Sequence, residues 1–291
     1  VFTMAKKTFI FSKSILIFYA NSKCVSARNV LIVLAHQSKS SFNAALKDAA
    51  VEVFKSQGCR VTVSDLYAMN FKATATPDDV IAEPRDSENF QYGRETLLAC
   101  QEGRLSGDIL EEHRKVKAAD LIIFQFPMYW FSVPAIMKGW IDRVLTQGFA
   151  FTLQSIYSNG VFKDKKAMLS LTTGASGAMF SPSGLNGDLN VTLWPLQNGV
   201  LNFCGFQVLA PQLSHSPGYC PPETRATMLA AWRGRLQGVW TEESLAFPPT
   251  ELFDPQGGFV LREEVQAAQA GVKYGLSVGH HLGKPFPPDS Q

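Results

Sequence analysis

Val30-Leu31-Ile32-Val33-Leu34-Ala35 is an unbroken apolar run rich in β-branched residues. A strand with one wet face alternates apolar and polar side chains, so an unbroken run belongs to a strand buried on both faces of a parallel sheet. The polar loop His36-Gln37-Ser38-Lys39-Ser40-Ser41 follows, and then residues 44–54 place Leu46, Ala49, Ala50 and Val53 at helical spacing. The same alternation recurs along the chain. Strands are predicted over residues 60–66, 120–126, 167–173 and 206–211, with helices over 95–118, 134–145 and 191–203. Strands alternating with helices predict an α/β fold with a doubly wound, parallel, five-stranded sheet. In such a sheet ligands bind at the carboxyl ends of the strands, so the loops after the first, third and fourth strands are the candidate site.

Each of these loops has its own chemistry. The first lacks GxGxxG and a Walker lysine, which leaves a Rossmann clamp and a P-loop without support. Its backbone amides, with Ser41 and Asn43, could still hold an anion at the helix N-terminus, or Ser40 or Ser41 could simply cap the helix. The second, Pro127-Met128-Tyr129-Trp130-Phe131-Ser132-Val133-Pro134, sets three consecutive aromatics between prolines directly after a buried strand. Three in a row cannot all face inward, which favours a flat ligand stacking there over core packing alone. The third, Thr172-Thr173-Gly174-Ala175-Ser176-Gly177, is built of small residues whose amides could meet a developing anion, although a ligand-free tight turn explains it as well.

Composition narrows the classes. The 291 residues are 46% hydrophobic and 18% charged, enough to bury a core without disulfides or metals. A formal net charge of +2 with interspersed signs gives no basic block for a nucleic acid or an acidic membrane surface. Cys24, Cys59, Cys100, Cys204 and Cys220 are odd in number and never form CxxC, which suits reduced thiols in a reducing, cytoplasmic setting. His113, His215, His280 and His281 have no ligand spacing beyond the adjacent last pair. Residues 1–28 differ from the rest: Lys6, Lys7 and Lys13 surround short apolar runs that are faintly signal-like but far shorter than a bilayer span. They are expected to form a disordered or non-native extension ahead of a domain over 29–245, with a C-terminal extension over 246–291.

Several long motifs, LIVLAH with SFN, SDLYAMNF, NFQY, FQFPMYWFSVPAIMKGW, DRVLTQGFAF, LSLTTGASG, NFCGFQVLAPQ and GLSVGHHLGK, occur in order over residues 29–291. In these the chain resembles the NAD(P)H:quinone oxidoreductase (DT-diaphorase) family. The resemblance implies a flavodoxin-like fold and a homodimer with FAD at each subunit interface. It also implies hydride passing from nicotinamide C4 to flavin N5 and then to a quinone in the vacated pocket. Position by position, it implies FAD contacts at His36, Phe42, Asn43, Gln91, Met128, Tyr129, Trp130, Phe131, Thr172, Thr173, Gly174, Ala175 and Arg225, with His36 and Arg225 facing phosphate. Ala150, Phe151, Thr152, Leu153, Phe203 and Phe253 match pocket-wall positions, those around Phe151, Leu153 and Phe203 coming from the second subunit. The Gly174 and Ala175 amides would bond the isoalloxazine C2 carbonyl and N1 edge, where charge appears on reduction.

Departures from the family pattern fall at the chemistry. The family's tyrosine and histidine relay aligns with Phe180 and Asn186, flavin-side positions that cannot donate a proton as that pair does. Losing a hydroxyl contact to developing charge is worth on the order of 2 to 3 kcal/mol, roughly a hundredfold in rate. Asn186, Leu153 and MYWFSVPA resemble the branch that uses dihydronicotinamide riboside, whereas the tail from Thr250, with LFD, GGF and GLSVGHHLGKP, resembles the NAD(P)H-using branch. A deletion between Asp254 and Gln256 removes a second pocket aromatic. The riboside branch's zinc histidines align with Asn198 and Asn202, so no structural metal is expected. Two alternatives stay open: a riboside-type donor, and a flavin-binding regulator whose catalysis has faded.

Overall fold

The computed structural model describes residues 27–288; residues 1–26, which hold most of the expected N-terminal extension, and 289–291 lie outside the described residues. The first apolar run forms β1 (Asn29–Leu34), and its side chains separate by parity. Leu31 and Val33 enter one core layer, while Val30 and Ile32 enter the other. Each fully buried aliphatic side chain of this kind contributes about 1.5–3 kcal/mol, and that burial on both faces is what holds the strand at the centre of the sheet. The chain continues through α1 (Phe42–Ser56) and β2 (Arg60–Asp65). Next come α2 (Tyr92–Glu102), α3 (Gly107–Ala118), β3 (Leu121–Pro127), α4 (Ala135–Val144) and β4 (Lys166–Thr173). All pairings in the central sheet are parallel, in the order β2-β1-β3-β4 and then a fifth position. The order reverses between β1 and β3, and the crevice at their carboxyl ends is where such a sheet receives ligands.

Two predicted elements differ from what forms. The single helix expected over 95–118 is two helices, because Gly103 ends α2 in the left-handed region (φ 69°) and Leu105 buries itself between the helices. The fifth strand is also divided, into β5 (Gln207–Val208) and β6 (Gln212–His215), both paired with β4. Pro211 has no N–H for a ladder. Arg235 covers the gap instead, donating to the Ala210 carbonyl at 2.6 Å and the Pro211 carbonyl at 3.1 Å. Arg235 lies on α6 (Pro222–Gly238), a helix the sequence pattern does not reveal; Trp232 of this helix donates to the Leu46 carbonyl of α1 at 3.0 Å.

The helix expected over 191–203 is α5 (Leu189–Leu196) continued by a π-helical turn, Gln197–Asn202. Pro195 lies inside it and supplies no N–H to the helical ladder, which accounts for the change of winding. Beyond residue 246 the chain forms a short antiparallel pair, β7 (Phe253–Asp254) with β8 (Val260–Leu261), and then α7 (Glu263–Gln269). This extension folds back on α5. Phe247 and His280 each approach the Trp194 ring at 6.0 Å, and a Cβ at Gly279 would stand 2.3 Å from that ring. No helix among the described residues is long and apolar enough to cross a membrane.

Candidate functional site

The loop after β1 is organised by local hydrogen bonds. Ser41 caps α1, its hydroxyl accepting from the Ala44 amide at 3.1 Å, so the capping reading holds for its side chain. Asn43 is buried and turned into the sheet: it donates to Thr172 Oγ1 at 2.9 Å and accepts from Gln125 Nε2 at 2.9 Å. Capping uses only an acceptor site of the Ser41 oxygen, so its hydroxyl proton is still free to donate to an anion, whereas the Asn43 amide is spent inside the sheet. Asn43 instead ties α1 to the ends of β3 and β4. Phe42 packs half-buried at the first position of α1. His36, at the end of β1, accepts from the Ser38 amide through Nδ1 at 3.0 Å, and burial pushes its pKa below 6.5. With Lys39 and Lys47 it lines a hollow of about 410 Å³. Gln91, exposed at the start of α2, makes no side-chain cap bond.

After β3 the chain reverses within four residues. Tyr129 and Ser132 exchange backbone hydrogen bonds, each at 3.0 Å, around Trp130 and Phe131, which hold φ angles of 49° and 59°. Two consecutive positive φ values are the signature of a type I′ turn, a conformation that asparagine and glycine adopt without difficulty and that bulky residues do not. The turn nevertheless displays its aromatics. Trp130 is 96% exposed and Phe131 51%, with Tyr129 also exposed. The Met128 amide donates to the Thr172 carbonyl at 2.8 Å, which fixes the turn to the end of β4.

The loop after β4 has its carbonyls tied back. Ser216 Oγ donates to the Gly174 carbonyl at 3.1 Å and Thr173 Oγ1 donates to the Ala175 carbonyl at 2.7 Å. Neither the Gly174 nor the Ala175 N–H donates to a protein acceptor among the described residues. Two unspent donors at a strand end, beside an exposed aromatic turn, fit the edge of a planar heteroaromatic ring bearing acceptors. Phe180 is buried behind this loop, 6.2 Å from the Phe131 ring and 6.1 Å from the His215 ring. Asn186 is half-buried, held through its backbone amide to the Met179 carbonyl at 2.8 Å.

His215 joins this cluster although no ligand spacing singles it out. It ends β6 in register with Thr173, and its Nδ1 lies 2.9 Å from Thr173 Oγ1. The available signal was the short QLSH segment after Pro211, which reads as a strand only once the fifth strand is divided.

A second set of ring contacts forms against the same hydrophobic core. Phe151 and Tyr157 pack edge-on against Phe203 at 5.2 and 5.3 Å. Ala150 is buried under them, Thr152 is half-buried and Leu153 is 76% exposed. Phe253 lines a neighbouring cavity of about 310 Å³ with Ile156, Tyr157, Asn198, Phe259 and His280. Among the described residues no ring contact joins this cluster to the one around Trp130 and Phe180. Arg225, in the first turns of α6, donates to the Pro217 and Cys220 carbonyls at 3.2 and 2.6 Å and so braces the loop after β6. Asn202 donates to Asn198 at 2.9 Å within the π-helical turn. No group of three or more His, Cys, Asp or Glu side chains among the described residues is placed to hold a metal ion.

Residues 28–236 match the model of a family described as having a flavodoxin-like fold, in agreement with the sheet order and the placement of the loops. The chain is 56% identical over 269 residues to NAD(P)H dehydrogenase [quinone] 1 of Rattus norvegicus, covering 92% of this chain and 98% of that one. It is 52% identical over 229 residues to ribosyldihydronicotinamide dehydrogenase [quinone] of the same species, covering 79% of this chain and 99% of the relative. A crystal structure of a candidate quinone reductase from Klebsiella pneumoniae superposes with a TM-score of 0.79 at 37% identity, covering 84% of this chain and 98% of that chain. The chain belongs to the NAD(P)H:quinone oxidoreductase family of flavodoxin-like enzymes.

Proposed function

We propose that this chain is a cytoplasmic, homodimeric flavoenzyme that reduces quinones to hydroquinones by two electrons, with FAD as cofactor and NAD(P)H as hydride donor. The observation that carries the reading is the pair of unspent amides at Gly174 and Ala175 beside the exposed Trp130-Phe131 turn. Bound FAD would supply two-electron hydride chemistry between the nicotinamide donor and the quinone, with one pocket serving both in ping-pong order. The chain's own residues do the rest. Trp130 and Phe131 offer flat apolar faces to the ring system, and the Gly174 and Ala175 amides hold the edge where negative charge appears, in a site closed to water on one side by Phe180.

His36, at the mouth of the first loop, faces the phosphates, and α1 directs its N-terminus the same way. Arg225 reaches the same phosphates by the resemblance, while its hydrogen bonds brace the loop after β6. The wall of Phe151, Leu153, Phe203 and Phe253 closes the pocket of the partner subunit, as the resemblance implies. Phe180 and Asn186 leave charge stabilisation to the two amides, so turnover proceeds at a reduced rate.

Two features favour a riboside-type donor as the second reading: Asn186, and Leu153 at the pocket wall. Anaerobic mixing of the FAD-loaded protein with NADH, NADPH or dihydronicotinamide riboside separates the readings by loss of the visible flavin band. Bleaching by NADH or NADPH supports the first, bleaching by the riboside alone supports the second, and bleaching by none removes the enzymatic reading.

A further inference from the structure

Thr173 has one hydroxyl proton and two acceptors within reach, the Ala175 carbonyl at 2.7 Å and His215 Nδ1 at 2.9 Å. When Nδ1 carries a proton it donates to the Thr173 oxygen, and the hydroxyl proton is then committed to Ala175. When Nδ1 is bare it competes for that proton, and the tie on Ala175 loosens. The imidazole is held for this contact by packing: the Phe180 ring stacks on it at 6.1 Å with 28° between planes, and a Cβ at Gly177 would stand 3.1 Å from its Cδ2. The loop it controls is the one whose Gly174 and Ala175 amides are unspent.

We propose that His215 is a positioning residue for the flavin-facing loop, acting through the Thr173 hydroxyl to set the aim of the Gly174 and Ala175 amides according to whether its Nδ1 carries a proton. The proposal rests on the functional reading above and deepens it by giving the loop a titratable support where Phe180 and Asn186 supply none. The groups packed against the imidazole are the Thr173 hydroxyl from β4, and Gly177 and the Phe180 ring from the turn after it; none titrates near neutrality. Burial is the one cause that lowers the His215 pKa below 6.5, with no charged side chain contributing. With the neutral ring's proton on Nε2, which leaves Nδ1 bare, the tie is firmest below that pKa and loosens as the pH rises through it.

The test uses the holoprotein and two variants, His215→Asn, whose amide can donate where Nδ1 does without titrating, and His215→Phe, which cannot donate. FAD affinity by fluorescence quenching and the rate of flavin bleaching by NADH are followed from pH 5 to pH 8. Wild type is expected to bind FAD more tightly at the acid end, by up to about tenfold, the fold-change that one hydrogen bond of ordinary net worth corresponds to. The Asn variant is expected to stay near the tight level and the Phe variant near the weak one, both without the pH limb. A limb surviving in the Phe variant, or Asn and Phe variants that behave alike, overturns the proposal while FAD binding and bleaching still stand. Should the Phe variant fail to fold, a limb unchanged in the Asn variant overturns it. A wild-type protein that takes up no FAD at any pH overturns the functional reading itself, and the positioning role with it.

Discussion

Trp130 and Phe131 occupy a turn conformation that suits neither. A non-glycine residue in the left-handed region costs on the order of 1 to 3 kcal/mol, and such strain persists where the surroundings over-determine it. Here the reciprocal Tyr129 and Ser132 hydrogen bonds impose the conformation, and what it achieves is display of two aromatic faces. Replacing the pair by the residues the turn prefers, Trp130→Asn with Phe131→Gly, is expected to raise the unfolding free energy of the FAD-free protein by about 1–2 kcal/mol. The same change is expected to weaken FAD binding at least about tenfold, through loss of stacking. Urea unfolding and FAD titration measure the two effects. A variant that is less stable, or that binds FAD unchanged, contradicts the assignment of the strain to ligand display.

His113 illustrates the opposite use of an imidazole. It is buried, stacked on the Phe149 ring and bonded through Nε2 to the Val144 carbonyl at 2.8 Å, and burial pushes its pKa down to about 4. Because the folded pKa lies below the unfolded value of 6.5, the unfolded chain binds the proton more readily. Stability is therefore full above about pH 6.5 and is lost as the pH falls towards 4, by at most about 3 kcal/mol at about 1.4 kcal/mol per pKa unit. Urea unfolding at pH 7.5 and pH 5, at fixed protein and FAD, should show this loss in wild type and a smaller one in His113→Gln. Equal losses would assign the pH dependence to other groups.

At the scale of elements, the strands were legible where burial on both faces left an unbroken apolar run, as in β1, β3 and β4. The interruptions were not, because each depends on one residue whose effect is geometric rather than periodic. Gly103 divides a helical pattern by entering the left-handed region, Pro211 removes a ladder donor, and Pro195 shifts the winding that carries Asn198 and Asn202. The helix α6 was hidden because few of its residues are buried, Trp232 and Leu236 among them, so no apolar stripe marks it. Of the site, the three loops were legible from the strand ends. The inward turn of Asn43 and the arrival of His215 were not, since both are set by contacts across the sheet. Gly103→Ala tests the first of these interruptions cleanly. Nothing lies within 4 Å of the added Cβ, so only backbone strain acts, and a loss of about 1 kcal/mol in unfolding free energy is expected. An unchanged stability would mean that the break is held by the Leu105 contacts instead.

On the scale of the whole molecule, a pocket wall lent to a partner subunit has a direct consequence. If the Phe151 and Phe203 wall completes the site of a second subunit, then a chain defective at Trp130 and a chain defective at Phe203 can share one intact site between them. Mixing Trp130→Ala with Phe203→Ala under conditions of subunit exchange is expected to recover about a quarter of wild-type turnover, since half the dimers are mixed and each holds one good site of two. No recovery from two folded variants that demonstrably exchange would place both clusters at one chain's own site.

The proposed site holds a planar flavin between the Trp130-Phe131 turn and the Gly174-Ala175 amides. Equilibrium binding of FAD to the purified protein, with Trp130→Ala in parallel, tests it most directly. The wild-type protein is expected to be yellow and to hold about one FAD per chain, with affinity at least about tenfold weaker in the variant. A wild-type protein that stays colourless in excess FAD, or a Trp130→Ala variant that binds it equally well, would rule out a flavin at this site.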